Sequence, residues 1–302
     1  MRRHSEREAA AEAIEGKGAG KGRGFGLDKI MLLLVALYFL VPLATTLAFG
    51  LSDGRSFSLL AFSSIFGDVD FINTLQLSLV LAMTSMVLAV LLVTPTAYWV
   101  QLRLPQARAL MNMLALVPFA VPAIVMAFGL IEVYNNDHPL ISVLSLGLVP
   151  FLSNVVNIVN TPPLLVCAYV IVALPFVSRA IDNNLRAINT RVLTEAAASL
   201  GCGWWRTFLV VILPNIWPGV ISAALLTFST VMGEFTLASL FGLYTFPIYL
   251  NVTGQNNAHK AAVLTILSFL LTLLCVLGIM LLTRIRHIGS GNAKQVEMIA
   301  AK

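Results

Sequence analysis

Six apolar runs, each long enough to cross a lipid bilayer, constrain this sequence more than any other feature. They cover approximately residues 30–50, 74–97, 110–131, 163–182, 211–233 and 262–283. A spanning helix needs about 20 apolar residues, because the hydrocarbon core is about 30 Å thick. Only 11% of the residues are charged, against about 25% in a soluble domain. We therefore predict an all-α polytopic membrane protein with six transmembrane helices.

A further apolar run, residues 139–160, is almost as long and has to be placed by charge. With six spans, both termini and seventeen of the nineteen Lys and Arg residues lie on one side, and only Arg55 and Lys260 lie on the other. A seventh span would move the four arginines of residues 179–206 across the membrane. Because positive residues collect on the cytoplasmic side, we predict that both termini are cytoplasmic and that 139–160 is re-entrant or interfacial.

The ends of the chain differ in composition from the spans. Residues 1–28 mix charged residues with glycine, a composition that buries too little apolar surface to fold. We predict a flexible basic cytoplasmic tail there, and contact with anionic membrane lipid is the minor alternative. The transmembrane domain then covers 29–288, and a second cytoplasmic tail covers 289–302. Since the net charge of +5 arises at span ends and tails, it indicates membrane topology and not binding to nucleic acid.

A short, interrupted segment lies between the fourth and fifth spans. Residues 194–219 read TEAAASLGCGWWRTFLVVILPNIWPG, and a helix over about 190–202 fits here. Its candidate ends are Asn189 or Thr190 at the start and Gly201 or Gly203 at the stop. Its apolar residues recur three or four positions apart and form one face: Leu193, Ala196, Ala197, Leu200 and Trp204. Small side chains allow close approach of another surface; the alternative is an interfacial helix lying on lipid headgroups.

Prolines predict bends in two of the spans. Pro118 and Pro122 predict a kink or an unwound turn in the third span. Pro214 and Pro218 predict a bend where the chain leaves the short helix and enters the fifth span. The short helix therefore connects to the membrane through a bent element.

The short helix carries the pattern EAA, three residues, Gly, nine residues, an aliphatic residue, any residue, Leu-Pro. This pattern resembles the signature loop of permeases from binding-protein-dependent ABC transporters. The matching residues are Glu195, Ala196, Ala197, Gly201, Val211 (where Ile is usual), Leu213 and Pro214. NTL at 73–75 and PTAYW at 95–99, followed by Arg103, are also similar to this family. The resemblance covers about residues 70–285.

The resemblance implies the fold of a type I ABC importer permease, in which this loop is a coupling helix seated in a groove on a separate ATPase. The implied coupling residues are Glu195, Ala196, Ala197, Leu200, Gly201, Leu213 and Pro214. Glu195 would be the polar contact, the two alanines the close-packing face and Gly201 the turn. The residues alone also allow Glu195 to be a first-turn carboxylate stabilised by the helix dipole, and the two roles can coexist.

The resemblance also implies the partners. They are two ABC ATPase subunits, a second permease chain (identical or different), and an extracytoplasmic solute-binding protein, all at a bacterial cytoplasmic membrane. The chain carries no phosphate-binding loop, which needs Gly, four residues, then Gly-Lys-Ser/Thr. We therefore predict a transport permease that is not an enzyme and holds no cofactor or metal, with ATP and Mg²⁺ bound by the partner.

Glu234 is the candidate residue for the translocation path. It lies in STVMGEFTLASLFG at the end of the fifth span, where a charge in hydrocarbon costs about 3 kcal/mol on insertion scales. Two interpretations stay open: it lines the path or holds the gate, or it pairs inside the helix bundle or sits at the outer interface. Thr227 and Thr230 come shortly before Glu234 in the same span. They either line the path or donate hydrogen bonds to the carbonyls of their own helix.

The cargo prediction follows from similarity and charge. GEFTLASLFG, together with the layout of six spans, resembles permeases for spermidine/putrescine, ferric iron and 2-aminoethylphosphonate. A polyamine is favoured because it suits Glu234, and ferric iron or a phosphonate is the alternative. A self-contained secondary transporter is the rival class. It commonly needs several membrane carboxylates and internal repeats, neither of which is evident.

Overall fold

The computed structural model describes residues 25–52, 65–135 and 161–300. These residues are almost entirely helical, and we number the helices in chain order. They are α1 (Phe25–Gly50), α2 (Val69–Arg103), α3 (Arg108–Ala120), α4 (Ala123–Asn135), α5 (Pro162–Ala187), α6 (Thr190–Ser199), α7 (Trp204–Asn215), α8 (Trp217–Met232), α9 (Thr236–Leu240), α10 (Phe246–Asn256) and α11 (Ala258–Ala300). The element predicted at 139–160 and most of the tail predicted at 1–28 lie outside the described residues.

Four helices are long and apolar enough to cross a membrane without a break: α1, α2, α5 and the Ala258–Leu281 part of α11. These helices coincide with the first, second, fourth and sixth predicted spans. Helix α2 begins before the expected residue 74, because the Asp68 side chain caps it by accepting the backbone N–H of Asp70. Helix α11 continues through the predicted second tail as far as Ala300.

The third and fifth predicted spans are each divided into two helices. Helices α3 and α4 meet at an angle of 101°, and α7 and α8 meet at 75°. Val121 is extended (φ −97°, ψ 118°), because the following Pro122 disfavours a helical conformation there. At the second break Ile216 (φ −95°, ψ 7°) lies just before Pro218. The predicted bends are confirmed, and the described residues hold six candidate spans when each bent pair counts as one.

Helices α2, α5 and α8 pack on one another and form the core. The close approach of α8 to α5 depends on Gly219, where a Cβ would lie 2.5 Å from the side chain of Asn184. Helix α1 packs on α11, and most of its apolar side chains are exposed. That exposure is expected of a helix surrounded by lipid, because hydrocarbon tails are as apolar as leucine.

The two ends of the bundle differ in charge. One end, here called the arginine-rich end, holds Arg103, Arg108, Arg179, Arg186, Arg191 and Arg206. At the opposite end, here called the Asp68 end, Asp68 lies beside α10 and the start of α11. Its carboxylate accepts hydrogen bonds from Lys260 Nζ at 2.6 Å and from the Tyr249 hydroxyl at 2.7 Å. The charge asymmetry read from the sequence is therefore carried into the fold.

Candidate functional site

Helix α6 lies at the arginine-rich end and is fixed by polar contacts. Asn189 precedes it with a left-handed backbone (φ 48°), which Asn tolerates better than most residues. Thr190, fully buried, donates its hydroxyl to the carbonyl of Leu185 in α5. One turn later, the hydroxyls of Thr194 and Tyr98 of α2 are hydrogen-bonded at 3.2 Å. The helix is therefore tied to both α5 and α2.

Gly201 ends α6, as predicted. Its φ is 78°, and its N–H donates to the carbonyl of Ala198 at 2.9 Å, while the N–H of Cys202 donates to that of Ala197 at 3.0 Å. This pair of bonds is a Schellman motif, in which glycine avoids the steric cost of a left-handed residue. Gly203 instead has an extended backbone (φ −70°, ψ 162°) and leads into α7.

The predicted apolar face of α6 divides into an inward and an outward part. Ala197 is buried, and Leu193 and Trp204 are partly buried against the core. Ala196 is exposed, and Leu200 is 85% exposed, more than any other large apolar side chain whose exposure the structure describes. Ala197 therefore packs within its own chain, whereas Ala196 and Leu200 are open to a partner.

Glu195 lies on the outward part of α6. Its Oε1 accepts a hydrogen bond from Arg191 Nε at 2.9 Å, and the two side chains are 64% and 85% exposed. Exposed pairs of this kind contribute about 0.3–0.5 kcal/mol, so a partner can replace the contact at little cost. The first-turn interpretation of Glu195 is wrong, because α6 begins at Thr190 and the dipole effect decays within the first turn.

Three aromatic rings join α7 to α2. Phe208 stacks on Tyr98 with centroids 5.3 Å apart and on Trp204 with centroids 6.0 Å apart. Tyr98 is fully buried and also lies 5.5 Å from Trp204. Because Tyr98 bonds to Thr194 through its hydroxyl, one side chain holds both α6 and α7 against α2.

The Leu-Pro part of the motif follows an irregular stretch of α7. Residues Thr207–Ile212 are π-helical, a wider winding that occurs mostly as single-turn bulges and frequently at functional sites. Pro214 lacks an N–H and cannot continue the hydrogen-bond ladder. Leu213 is half-buried and Pro214 is exposed, just before the bend at Ile216. Sequence reasoning predicted the bend but not the π-helical winding.

Asp182 is a residue at this end that sequence reasoning missed. Its carboxylate pairs with Arg108 of α3 at 2.6 Å and with Arg186 at 2.7 Å, and the aspartate side chain is only 10% exposed. The signal was present, since Asp182 and Arg186 are four residues apart on one helix. The cross-helix partner Arg108 could not be found without the fold. This cluster fixes the start of α3 to the end of α5.

Glu234 lies at the Asp68 end, in the turn between α8 and α9, and is half-buried. Its carboxylate accepts the backbone N–H of Leu237 at 3.0 Å and that of Ala238 at 3.4 Å. Tyr169 of α5 and Ser78 of α2 line the same small cleft as Glu234. These bonds agree with the interpretation that Glu234 is held inside the bundle; its role in the path stays a prediction.

The two threonines before Glu234 bond back to their own helix. Thr227, fully buried, donates to the carbonyl of Ala223, and Thr230 donates to that of Leu226, both at 2.8 Å. Such bonds satisfy the hydroxyls locally. Contact of either residue with cargo also stays a prediction.

At the Asp68 end, the paired aspartate is strongly acidic. The hydrogen bond from Lys260, and after it the bond from Tyr249, lowers the pKa of Asp68 to about 2. A carboxylate with such partners stays charged over the physiological range. Among the described residues, no group of three His, Cys, Asp or Glu side chains is placed to hold a metal.

Comparison with known proteins gives matches over the part of the chain that contains α6, α7 and α8. The sequence profile of the family described as "binding-protein-dependent transport system inner membrane component" matches residues 94–286. The molybdenum transport system permease protein ModB of Azotobacter vinelandii is 33% identical over 171 residues, covering 56% of this chain and 71% of that protein. The sulfate transport system permease protein CysW of Synechococcus elongatus is 28% identical over 211 residues, 70% of each chain. The spermidine/putrescine permease protein PotB of Escherichia coli K12 is 29% identical over 150 residues, 48% of this chain and 52% of that protein.

Solved structures share the fold. A chain of the bacterial alginate ABC transporter, crystallised in complex with the alginate pentasaccharide-bound periplasmic protein, aligns with a TM-score of 0.64 at 17% identity, over 84% of this chain and 92% of that one. A chain of an amino acid ABC transporter with histidines aligns at 0.52 and 18% identity, over 76% and 99%. The profile match contains all of α6, the bend and α8, so the chain belongs to the family of binding-protein-dependent transport system inner membrane components, the permease subunits of ABC importers.

Proposed function

We propose that this permease forms half of the translocation path of an ATP-driven importer and that α6 docks on a separate ATPase subunit. The observation that carries the proposal is the docking surface, defined as Glu195, Ala196, Leu200 and Gly201. All four residues are exposed, although the helix that bears them is anchored to two others. An exposed leucine beside a weakly paired glutamate suits a partner that offers an apolar groove and a polar contact.

The anchors of α6 supply a route for movement into the membrane. A push on the docking surface reaches α2 through the hydroxyls of Thr194 and Tyr98. It reaches α8 through α7, whose π-helical stretch and 75° bend provide the joint. Because α8 packs on both α2 and α5, rotation at this joint moves the core helices relative to one another, which is the kind of hinge motion that transport cycles use.

The same proposal implies how the chain is oriented in the membrane and which other partners it has. With the docking surface in the cytoplasm, the arginine-rich end is cytoplasmic, as positive residues favour, and both termini follow it. The Asp68 end with α10 then faces outward, where a solute-binding protein delivers cargo. A structure sharing this fold was crystallised with a periplasmic protein, which supports such a partner. A second permease chain completes the path, two ATPases bind ATP and Mg²⁺, and the membrane is a bacterial inner membrane.

For cargo, we propose a small charged solute. The relatives are named for molybdenum, sulfate and spermidine/putrescine, and sulfate and the two polyamines are small ions at neutral pH. Sequence reasoning favoured polyamine through Glu234, but both carboxylate oxygens accept backbone N–H groups, so less charge is free to select a cation. An oxyanion is therefore a further candidate cargo, in addition to polyamine, ferric iron and 2-aminoethylphosphonate.

The deciding experiment is gentle purification of the tagged chain from its native membrane, followed by mass spectrometry of the proteins that accompany it. We expect an ATPase with a phosphate-binding loop, a solute-binding protein and a second copy or a sister permease. The binding protein is then titrated calorimetrically with spermidine, putrescine, molybdate, sulfate, ferric iron and 2-aminoethylphosphonate. The solute that binds, and that the reconstituted complex takes up only with ATP, is the cargo.

Two controls make this result decisive. Glu195→Lys reverses the charge on the docking surface and should release the ATPase while the permease stays in the membrane. Arg179→Gln, a charge change at the same end but outside that surface, should leave the complex intact. Uptake by the chain alone, driven by a proton or sodium gradient, would overturn the proposal in favour of a secondary transporter.

A further inference from the structure

The four tryptophans of this chain line two openings, an apolar groove and a smaller pocket. The sequence contains Trp99, Trp204, Trp205 and Trp217. Trp205 and Trp217 line an open groove between α2 and the bent α7–α8 pair, and Trp99 and Trp204 line a smaller pocket beside it. Tryptophan favours the boundary between hydrocarbon and headgroups, because its ring is apolar and its N–H is polar. The clustering therefore marks a membrane interface at the arginine-rich end.

The groove is apolar and large. Its volume is about 640 Å³, and its walls are mainly aliphatic and aromatic, among them Val87, Leu91, Leu209 and Trp217. Leu91 is 64% exposed and Leu209 is 53% exposed, so the groove is open along its length. Apolar lining of this extent suits a hydrocarbon chain, which gains dispersion contacts in a fitted groove.

The smaller pocket gives the groove a charged end. Leu91, Pro95, Trp99 and Arg103 are each four residues apart on α2, so they form one stripe. The first two line the groove and the last two line the pocket. From Leu91 to Arg103 the stripe rises about 18 Å, at about 1.5 Å per residue. One leaflet contributes about half of a hydrocarbon core that is about 30 Å thick, so the stripe runs from mid-bilayer to the headgroups.

The positive charge of Arg103, at the end of the stripe, has no carboxylate partner among the described residues. Arg108, Arg186 and Arg191 each pair with a carboxylate, whereas Arg103 makes no ion pair within the part of the chain that the structure describes. Arg103 lines the smaller pocket, and a cation without a carboxylate partner suits an anionic oxygen, such as that of a phosphate.

We propose that this groove binds an anionic glycerophospholipid of the leaflet at the arginine-rich end. One acyl chain lies along the apolar stripe of α2 between Trp205 and Trp217, and the phosphate lies at Arg103. The occupant must be apolar over the depth of one leaflet and negative at one end, which describes such a lipid better than a second protein helix. The inference depends only on the membrane location of the chain and stands apart from the proposed coupling to an ATPase.

The tryptophans themselves provide the measurement. The full chain is reconstituted in phosphatidylcholine vesicles containing a small fraction of either phosphatidylglycerol or phosphatidylcholine brominated on its acyl chains, and tryptophan fluorescence is recorded. We expect brominated phosphatidylglycerol to quench at roughly fivefold lower mole fraction, the preference that one arginine near a membrane surface provides. Arg103→Gln should abolish the difference, and Arg103→Lys should keep most of it.

Arg179→Gln is the matched control. Arg179 is an exposed arginine at the same end, lies outside the groove, and makes no ion pair among the described residues, so its loss should leave the preference unchanged. Equal quenching by the two lipids in the wild type would overturn the proposal. So would an undiminished preference in Arg103→Gln, or the absence of quenching by both lipids, which would mean that protein covers the groove.

Discussion

The two ends of the bundle each combine a glutamate with a short helix that stops at a left-handed glycine. At the arginine-rich end these are Glu195 and Gly201 (φ 78°), and at the Asp68 end they are Glu234 and Gly242 (φ 66°). The N–H of Gly242 donates to the residue three positions earlier, and the next N–H donates five positions back, as at Gly201. The backbone device is therefore the same at both ends.

The two ends differ in the hydrogen-bond partners of the glutamate carboxylate. Glu234 accepts N–H groups of α9, a helix whose Leu237 and Ala238 are fully buried. Among the described residues, the Glu195 carboxylate bonds only to the exposed Arg191, and its helix presents Leu200 to solvent. A glutamate satisfied by its own backbone fixes a helix in place, whereas a glutamate on an open, anchored helix is available to a partner. The same sequence elements thus produce a latch at one end and, at the other, the surface that we propose docks on a partner.

Gly201→Asp should produce the largest effect and would sharpen this contrast. A residue with a Cβ costs about 1–2 kcal/mol in the left-handed region, a factor of about 5–30 in population, and the added charge lies on the docking surface. We expect ATP-driven uptake in reconstituted complexes to fall at least tenfold, with normal membrane insertion. Insertion is measured by the yield in washed membranes and uptake with radiolabelled cargo.

Gly203→Asp is the control for that experiment. Both glycines have open space around the position of a Cβ, but only Gly201 has a positive φ. Gly203→Asp adds the same charge two residues away without left-handed strain, so we expect uptake within about threefold of wild type. Equal loss in both variants would show that charge, and not the shape of the helix stop, decides coupling, and the comparison of the two glycine stops would fail.

Asp182→Asn against Asp68→Asn compares the ion pairs of the two ends. Asp182 bridges Arg108 and Arg186, and its side chain is 10% exposed, against 24% for Asp68. We expect Asp182→Asn to lower stability by about 1–3 kcal/mol, less than for a fully buried pair because both arginines keep some water. Thermal unfolding in detergent should show a clearly larger drop in midpoint for Asp182→Asn. A larger drop for Asp68→Asn would show that the ion pair of Asp68 contributes more to stability than those of Asp182.

Much of this arrangement was predictable from local sequence, because it depends on local chemistry. Apolar length gave the spans, proline gave the bends, and the glycine after EAAASL gave the stop of α6. Partners that come together only in the fold were missed: Asp182 with Arg108, and Asp68 with Lys260. The burial of Ala197 against its own chain was missed for the same reason. The helical period predicts which residues share a face, but not which part of that face packs on the core.

Glu234→Gln against Glu234→Ala separates the latch from the path. A glutamine retains one acceptor oxygen for the N–H groups of Leu237 and Ala238, whereas alanine leaves both without it; loss of a cap of this kind costs about 0.5–2 kcal/mol. We expect Glu234→Ala to reduce the maximal uptake rate several-fold and Glu234→Gln to keep most of it, with KM unchanged in both. A change in KM or in cargo preference for Glu234→Gln would instead place the charge in the path.

The smallest expected effect concerns acid at the Asp68 end. Asp68 has a pKa of about 2 in the fold, below its usual 3.8, so its contribution to stability is present above about pH 4 and is lost as the pH falls toward 2. The contribution is below about 1 kcal/mol, because Asp68 and Lys260 are both partly exposed. Thermal midpoints measured from pH 5 to pH 2 should fall less steeply in Asp68→Asn than in wild type. Asp70→Asn is the matched control, since it replaces a neighbouring carboxylate while its backbone N–H still donates to Asp68, and the contribution of Asp68 should remain. If the slope of Asp68→Asn also equals that of wild type, the bonds of Asp68 to Tyr249 and Lys260 do not stabilise the contact of α10 and α11 with the start of α2.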